Sequence, residues 1–228
     1  MRMGEYIETF DDLAEENALY EIPLRKEFIL KSIGRGKRVL DVGCLGGQIS
    51  KLIQEQNNDV VGIEANPRAA ETARGRGIEV KVANVEDGIS FPAASFDAVN
   101  ACEIVEHLYD TKSFFEEVNR VLKDRGTFIF TTPNLNSLEN RLKVVTGGYL
   151  GMTGAYPEDH FGGHVRIFNI QKIQELCMQT GFVIEEVRGI PVLSSRGKWW
   201  DKSMKWTGRV LPGFSKILMV RARKCPTL

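Results

Sequence analysis

The sequence predicts an α/β protein: a doubly wound, seven-stranded sheet, mostly parallel with an antiparallel last strand, and helices on both faces. Three observations predict it. From Arg38 onward, short apolar runs alternate with segments whose apolar residues recur at helical spacing, the pattern of a parallel sheet with crossover helices. The first of these runs ends on a glycine-rich turn, Gly43 to Gly47. Two late apolar runs have no strong helix between them and suit an antiparallel pair at one end of the sheet.

The elements follow in order. Residues 5–33 read as one or two helices: Ile7, Phe10, Leu13 and Ala14 share one face, and Leu24, Phe28, Ile29 and Ile33 another after Pro23 interrupts the run. Strands are expected at 38–42, 60–63, 78–82, 96–100 and 127–130. The helices between them are expected at 46–56, at 67–75 behind Pro67, and at 111–122 with Phe114, Phe115, Val118 and Leu122 inward. Residues 147–164 hold six glycines and little periodicity, which predicts a long loop or lid. A helix over 170–180 and strands at 182–187 and 217–220 complete the sheet.

The chain has 228 residues, of which 43% are hydrophobic, and thirty basic side chains balance thirty acidic ones. That composition folds, and the length fits one elaborated domain with a core needing neither disulfide nor structural metal. Its expected parts are an N-terminal helical cap (1–36), a core (38–135), a lid or acceptor region (136–169) and a C-terminal part of the sheet (170–228). Zero net charge argues against nucleic acid as a partner. The ends are asymmetric: residues 1–24 carry seven acids against Arg2, and residues 187–228 ten bases against Asp201. The simplest account is two solvated faces. Cys44, Cys102, Cys177 and Cys225 form no C-x-x-C pair and lie at no zinc-finger spacing from the three histidines, so no metal site is expected. A reducing, cytoplasmic compartment fits them. The acidic N-terminus has no apolar signal-peptide core, and no run of about 18 apolar residues exists to span a membrane.

The strand Val39 to Val42 and its turn Gly43-Cys44-Leu45-Gly46-Gly47 form the strongest functional feature. In a parallel sheet this turn lies at the carboxyl edge, where ligands bind. Glycines let the backbone approach a ligand, and the next helix offers unpaired N–H groups. Glu64 ends the second strand, 21 positions after Gly43, where a carboxylate can accept from two ribose hydroxyls. Together these point to a nucleoside. A dinucleotide site would read G-x-G-x-x-G, but Leu45 stands two after Gly43.

From Leu40-Asp41-Val42-Gly43-Cys44 onward the chain resembles the class I S-adenosylmethionine (SAM) dependent methyltransferases of small-molecule type. Further matches follow in order: Val82 to Asp87; Ser95 to Val99; Glu103-Ile104-Val105-Glu106-His107-Leu108; Arg120 to Ile129; and Thr132-Pro133-Asn134. The resemblance covers residues 38–135 and implies a Rossmann-like fold with SAM as methyl donor and S-adenosylhomocysteine as product. It implies that Gly43, Cys44, Gly46 and Gly47 pack against the amino acid part of SAM, with Asp41 orienting the loop or meeting the ammonium through water. Glu64 would hold the ribose, with Ala65 beside the adenine. Asn84 and the Val85 N–H would read the adenine, and Ala101 and Cys102 would lie near the methionine portion. Two positions depart from the family pattern: Leu45 stands where glycine is frequent, and Asn84 where aspartate is common.

A sulfonium methyl is already activated, so the protein's task is alignment and exclusion of water. A base is needed only for a protonated acceptor, and His107, His160 and His164 are the candidates. O-methylation of a small molecule is favoured. The segment after the fourth strand, Asn100-Ala101-Cys102-Glu103, lacks the Asn/Asp-Pro-Pro-aromatic run of amino-methylating nucleic-acid enzymes. Trp199, Trp200 and Trp206, set among lysines, read either as a cover over the sheet edge or as a peripheral contact to a membrane or lipid-like acceptor. Two alternatives stay open: a non-catalytic nucleoside-binding module on the same fold, and a nicotinamide-dependent oxidoreductase.

Overall fold

The computed structural model describes residues 23–148, 150, 164–191 and 201–226, with residues 201–205 described by backbone alone. The elements in chain order are α1 (23–33), β1 (Arg38–Val42), α2 (Gln48–Gln54), β2 (Asp59–Glu64), α3 (Pro67–Gly75), β3 (Glu79–Val82), β4 (Phe96–Cys102), α4 (Thr111–Val121) and β5 (Leu122–Pro133). They continue with α5 (Leu138–Val145), α6 (Ile170–Gln179), β6 (Phe182–Ile190), α7 (Asp201–Val210) and β7 (Ile217–Lys224).

The strands form one seven-stranded sheet in the order β3-β2-β1-β4-β5-β7-β6. All neighbours are parallel except β7, which runs antiparallel to both β5 and β6. This is the predicted doubly wound sheet with its antiparallel last strand. The order reverses between β1 and β4, so the carboxyl ends of these two strands open a crevice at the switch point.

Each face has its own core. Phe114, Phe115, Val118 and Val121 of α4 and Ile173 and Cys177 of α6 pack on Leu40, Val99, Phe128 and Phe130 of the sheet. On the opposite face, Phe28, Ile29 and Ile33 of α1 and Ile53 of α2 pack on Val39, Ala98, Ile129 and Met219. Alternate residues of β5, Phe128 and Phe130 against Ile129, thus point to opposite cores, as the period of a strand requires. Helix α3 lies on Val80, with Ala70 and Ala73 inward beside Cys44.

Caps set the helix starts where the sequence placed them. Asn66, before Pro67, accepts from the N–H groups of Arg68 and Ala69. Asp110 accepts from Ser113 N–H to open α4, and Asn169 from Lys172 N–H to open α6.

Three segments differ from expectation. The stretch between the last two strands, read as irregular, contains α7. Its glycine lets it dock: a Cβ on Gly208 would overlap the Gly189 carbonyl oxygen of β6, so only glycine allows this approach. Helix α5 was not anticipated, because Leu142, Val144 and Val145 are exposed and leave no inward apolar stripe. Strand β5 starts five residues early, through the exposed Lys123–Arg125. Residues 5–22, most of the expected lid, Trp199 and Trp200 lie outside the described residues. None of the described helices is long and apolar enough to cross a membrane.

Phe115 joins the strand and helix layers: its ring meets Phe128 and Phe130 edge-on at 5.0 and 5.2 Å. The expected cost of Phe115→Ala is about 3–5 kcal/mol. In urea unfolding this appears as a lower midpoint at unchanged slope.

Candidate active site

The site is built at the carboxyl ends of β1, β2 and β4. Asp41 is buried on β1 and accepts from Ser50 Oγ of α2 at 2.5 Å and from Asn100 Nδ2 of β4 at 2.7 Å. Asp41 and Asn100 are register partners, so one carboxylate ties both strands and the helix after the glycine turn. Burial pushes its pKa up from 3.8 to about 6, against the two hydrogen bonds, with the nearby Glu64 charge adding to the rise. Asp41 thus joins β1, β4 and the helix that follows the turn.

The turn is compact. The N–H groups of Gly43 and Cys44 both donate to the Ile63 carbonyl on β2, at 2.8 and 3.2 Å, and Gly47 N–H donates to the Cys44 carbonyl at 2.8 Å. Gly43 has φ +65° and Gly47 φ +79°, conformations that glycine adopts freely. A Cβ on Gly43 would overlap Ile104 Cδ1, and one on Gly47 would sit 2.8 Å from Ala73 Cβ. The Gly46 carbonyl accepts from Arg76 at the end of α3. Cys44 turns its thiol inward, over Gly62, and burial there keeps it protonated. Leu45 sits at φ +47°, a conformation that favours the glycine frequent in the family pattern, and its side chain avoids collision by being exposed.

Glu64 holds that strained residue in place. One of its oxygens accepts from Leu45 N–H at 2.9 Å and the other from Asn66 N–H at 2.8 Å. Both carboxylate oxygens thus take part in holding the turn and the start of α3. Ala65 beside it is exposed. Asn84, after β3, is exposed and its Oδ1 accepts from Glu86 N–H at 3.1 Å, opening the short 3-10 turn Val85–Asp87. The amide oxygen proposed for adenine thus already serves as a cap and would be shared.

At the end of β4, Ala101 is fully buried and Cys102 half-buried, its thiol pushed by burial up to about 12. Cys102 is therefore a neutral packing residue, not a thiolate. Glu103 follows at φ +53°. Its N–H donates to the Thr131 carbonyl at 3.1 Å, and its carboxylate accepts from Thr131 Oγ1 at 2.6 Å and pairs with Arg25 of α1 at 3.3 Å.

Next comes a cluster that sequence alone indicated only in part. His107 and His164 stand edge to face, centroids 4.9 Å apart. Glu106, 1% exposed, points an oxygen at His164 Nε2 from 3.9 Å, and neither carboxylate oxygen makes a hydrogen bond among the described residues. Burial, then the Glu103 charge, pushes Glu106 well above the usual carboxylate range, and burial pulls His164 down. Ligand atoms of Glu106, His107 and His164 all lie within 4.8 Å of one another, so the three are also suited to hold one divalent cation, a capacity the sequence reading did not foresee. The segment carrying His164 is clipped here by Val165 and Arg166, whose N–H groups donate to the Glu106 carbonyl. His160 lies outside the described residues.

Comparison with known proteins follows this geometry. A family model described as "Methyltransferase domain" matches residues 40–130. A ubiquinone biosynthesis O-methyltransferase of Hahella chejuensis is 34% identical over 160 residues, 63% of this chain and 67% of the relative. The chain belongs to the class I SAM-dependent methyltransferase family. A namesake of that relative from Alkalilimnicola ehrlichii is 31% identical over 150 residues, 62% of this chain and 61% of its own length. A crystal structure described as a SAM-dependent methyltransferase, from Thermotoga maritima, shares the fold with a TM-score of 0.71 at 19% identity, covering 97% of this chain and 100% of the other.

Asp41 gives a signed pH prediction. The folded chain holds the Asp41 proton more tightly than the unfolded chain, so the folded state gains from it at low pH and loses that gain as pH rises. The stability of the native protein should fall relative to Asp41→Asn by up to about 3 kcal/mol between pH about 4 and about 6, and stay level above. Paired urea titrations across that range measure it.

Proposed function

We propose that the protein is a SAM-dependent methyltransferase that transfers a methyl group to a hydroxyl of a small molecule. The observation that carries this reading is the Glu64 carboxylate, locked by Leu45 and Asn66 N–H groups at the rim of the glycine turn and one strand from it. The names of the relatives, O-methyltransferases, support oxygen as the atom methylated.

The residues fit the donor. Collisions of a Cβ on Gly43 or Gly47 mark two positions of the turn that admit no side chain, Glu64 stands at its rim to meet the ribose, and the exposed Ala65 and half-buried Val85 are the residues to meet the adenine. Asn84 would share its oxygen with the adenine amino group. The buried Asp41 and Glu64 place negative charge beneath the turn, which favours a ligand bearing ammonium and sulfonium groups. SAM, when bound, supplies an activated methyl for in-line displacement. The chain's own work is to hold donor and acceptor in line over Cys102 and to exclude water. Where the acceptor hydroxyl arrives protonated, His107 and His164 stand at the β4 edge to take its proton. The grouping of Glu106 with both histidines favours a second reading, in which a divalent cation held there binds the acceptor oxygen. Four cysteines free of disulfides suit a reducing, cytoplasmic setting.

Calorimetry with S-adenosylhomocysteine tests the donor. Binding is expected, with Glu64→Ala weakening it by about 10–100-fold and NAD giving no heat. Heat with NAD and none with S-adenosylhomocysteine sinks the reading. Transfer from labelled SAM to a panel of phenols, catechols and alcohols tests the reaction. His164→Ala is expected to lower kcat at least about tenfold. Dialysis against a chelator, then addition of magnesium or manganese, separates the two readings: restored activity selects the cation, unchanged activity the histidines.

A further inference from the structure

A second concavity lies apart from the glycine turn. It has a volume of about 290 Å³, and its walls come from α1 (Leu24, Glu27), β6 (Arg188, Gly189), β7 (Met219) and α7 (Trp206, Gly208, Arg209). The volume is close to the lower bound for small-ligand pockets, roughly 300 Å³. Its floor is apolar: Met219 is buried, Leu24 packs on the same core, and Trp206 is 63% exposed over them. Its rim is cationic. Arg188 pairs with Glu186 at 2.6 Å and lies over the Phe28 ring, whereas Arg209 is exposed and makes no ion pair among the described residues. Among the described residues Glu27 is the one acid of the lining.

The sheet register sets the distance from this groove to the carboxyl end of β4. Arg188 is paired with Met219, Met219 with Thr131, and Thr131 with Cys102. Residues in one cross-strand row share a face, and Cys102 and Met219 pack into the same core. At roughly 4.8 Å between strands, Met219 lies about 10 Å from Cys102 along that row. The Arg25–Glu103 pair, anchored by Thr131, stands between the two.

Resting on the methyltransferase reading, we propose that this groove binds the non-reacting end of the acceptor, an apolar chain or ring that carries one anionic group. The hydroxyl sits at the Cys102 end of β4, the apolar body passes along the same sheet edge, by the carboxyl end of β5 and the amino end of β7, above the buried Thr131 and Met219, and the anion meets Arg209. A stem of about ten carbons spans that distance.

The test uses the full chain saturated with S-adenosylhomocysteine and titrated calorimetrically with decanoate, decanol and decylamine. Decanoate should bind, decanol at least about tenfold more weakly, and decylamine not at all. Arg209→Glu should weaken decanoate at least about tenfold, and Trp206→Ala should weaken decanoate and decanol together, both leaving S-adenosylhomocysteine affinity unchanged. Decanoate should also raise KM for the hydroxyl substrate turned over in the panel without raising KM for SAM. Equal binding of decanoate and decanol, no change in Arg209→Glu, or inhibition that is not competitive with the acceptor overturns the proposal. If the protein binds S-adenosylhomocysteine but not decanoate, the groove assignment fails while the methyltransferase reading stands; if S-adenosylhomocysteine does not bind, it is that reading that fails.

Discussion

Asp41 lies enclosed between β1 and β4, and its two oxygens receive hydrogen bonds from Ser50 and Asn100. Enclosing a carboxylate is costly unless donors surround it. Here the donors come from α2 and β4, the elements on either side of the switch point. Rotating α2, sliding β4 or reshaping the turn each strips a donor from the group. The turn has little other freedom, since Gly43, Cys44 and Gly47 spend their N–H groups internally. Glu64 closes the frame from β2 by holding the Leu45 N–H. Two carboxylates thus fix a loop that bears no net charge of its own, and they leave beneath it a field suited to a cation.

The parts legible in the sequence are those where chemistry and secondary structure share one short segment. Gly43 and Glu64 declare themselves because a strand, its turn and the next strand end follow one another in a short stretch, with Glu64 21 positions after Gly43. The partners of Asp41 were not legible: Ser50 looks like a surface helix residue, and Asn100 like a strand residue of no special kind. Glu106 reads in the sequence only as part of a motif, since its burial arises from the segment around His164 folding back over it. Helix α5 escaped because it buries Asn140 and exposes its large apolar residues, inverting the pattern that periodicity detects. Helix α7 escaped because tryptophan, lysine and glycine give no apolar stripe, and its contact with β6 is made through backbone at Gly208.

Part of the basic C-terminal stretch is neutralised locally among the described residues. The basic C-terminal stretch meets acids on its neighbouring strand: Arg221 and Arg223 pair with Glu185, Arg221 and Arg188 with Glu186. These pairs are half-exposed, and each contributes little to stability. Their register across β6 and β7 instead favours one alignment of an antiparallel pair with an irregularity between Ile184 and Glu186. With those cations spoken for, Arg209 stands out as the base facing an apolar groove.

Strain marks the other end of the same edge. Glu103 holds φ +53°, a conformation that costs an ordinary side chain roughly 1–2 kcal/mol. Thr131 repays this with a backbone carbonyl and a hydroxyl, and Arg25 adds an ion pair from α1. Such a residue persists only where its surroundings over-determine it. The consequence is geometric. The left-handed turn at Glu103 ends β4 and starts the loop that brings Glu106 and His107 to His164, while its carboxylate fastens α1 to the sheet. The seating of α1 on the sheet and the placing of the Glu106–His107–His164 cluster therefore meet at one residue, and a shift of α1 would be felt at the histidines.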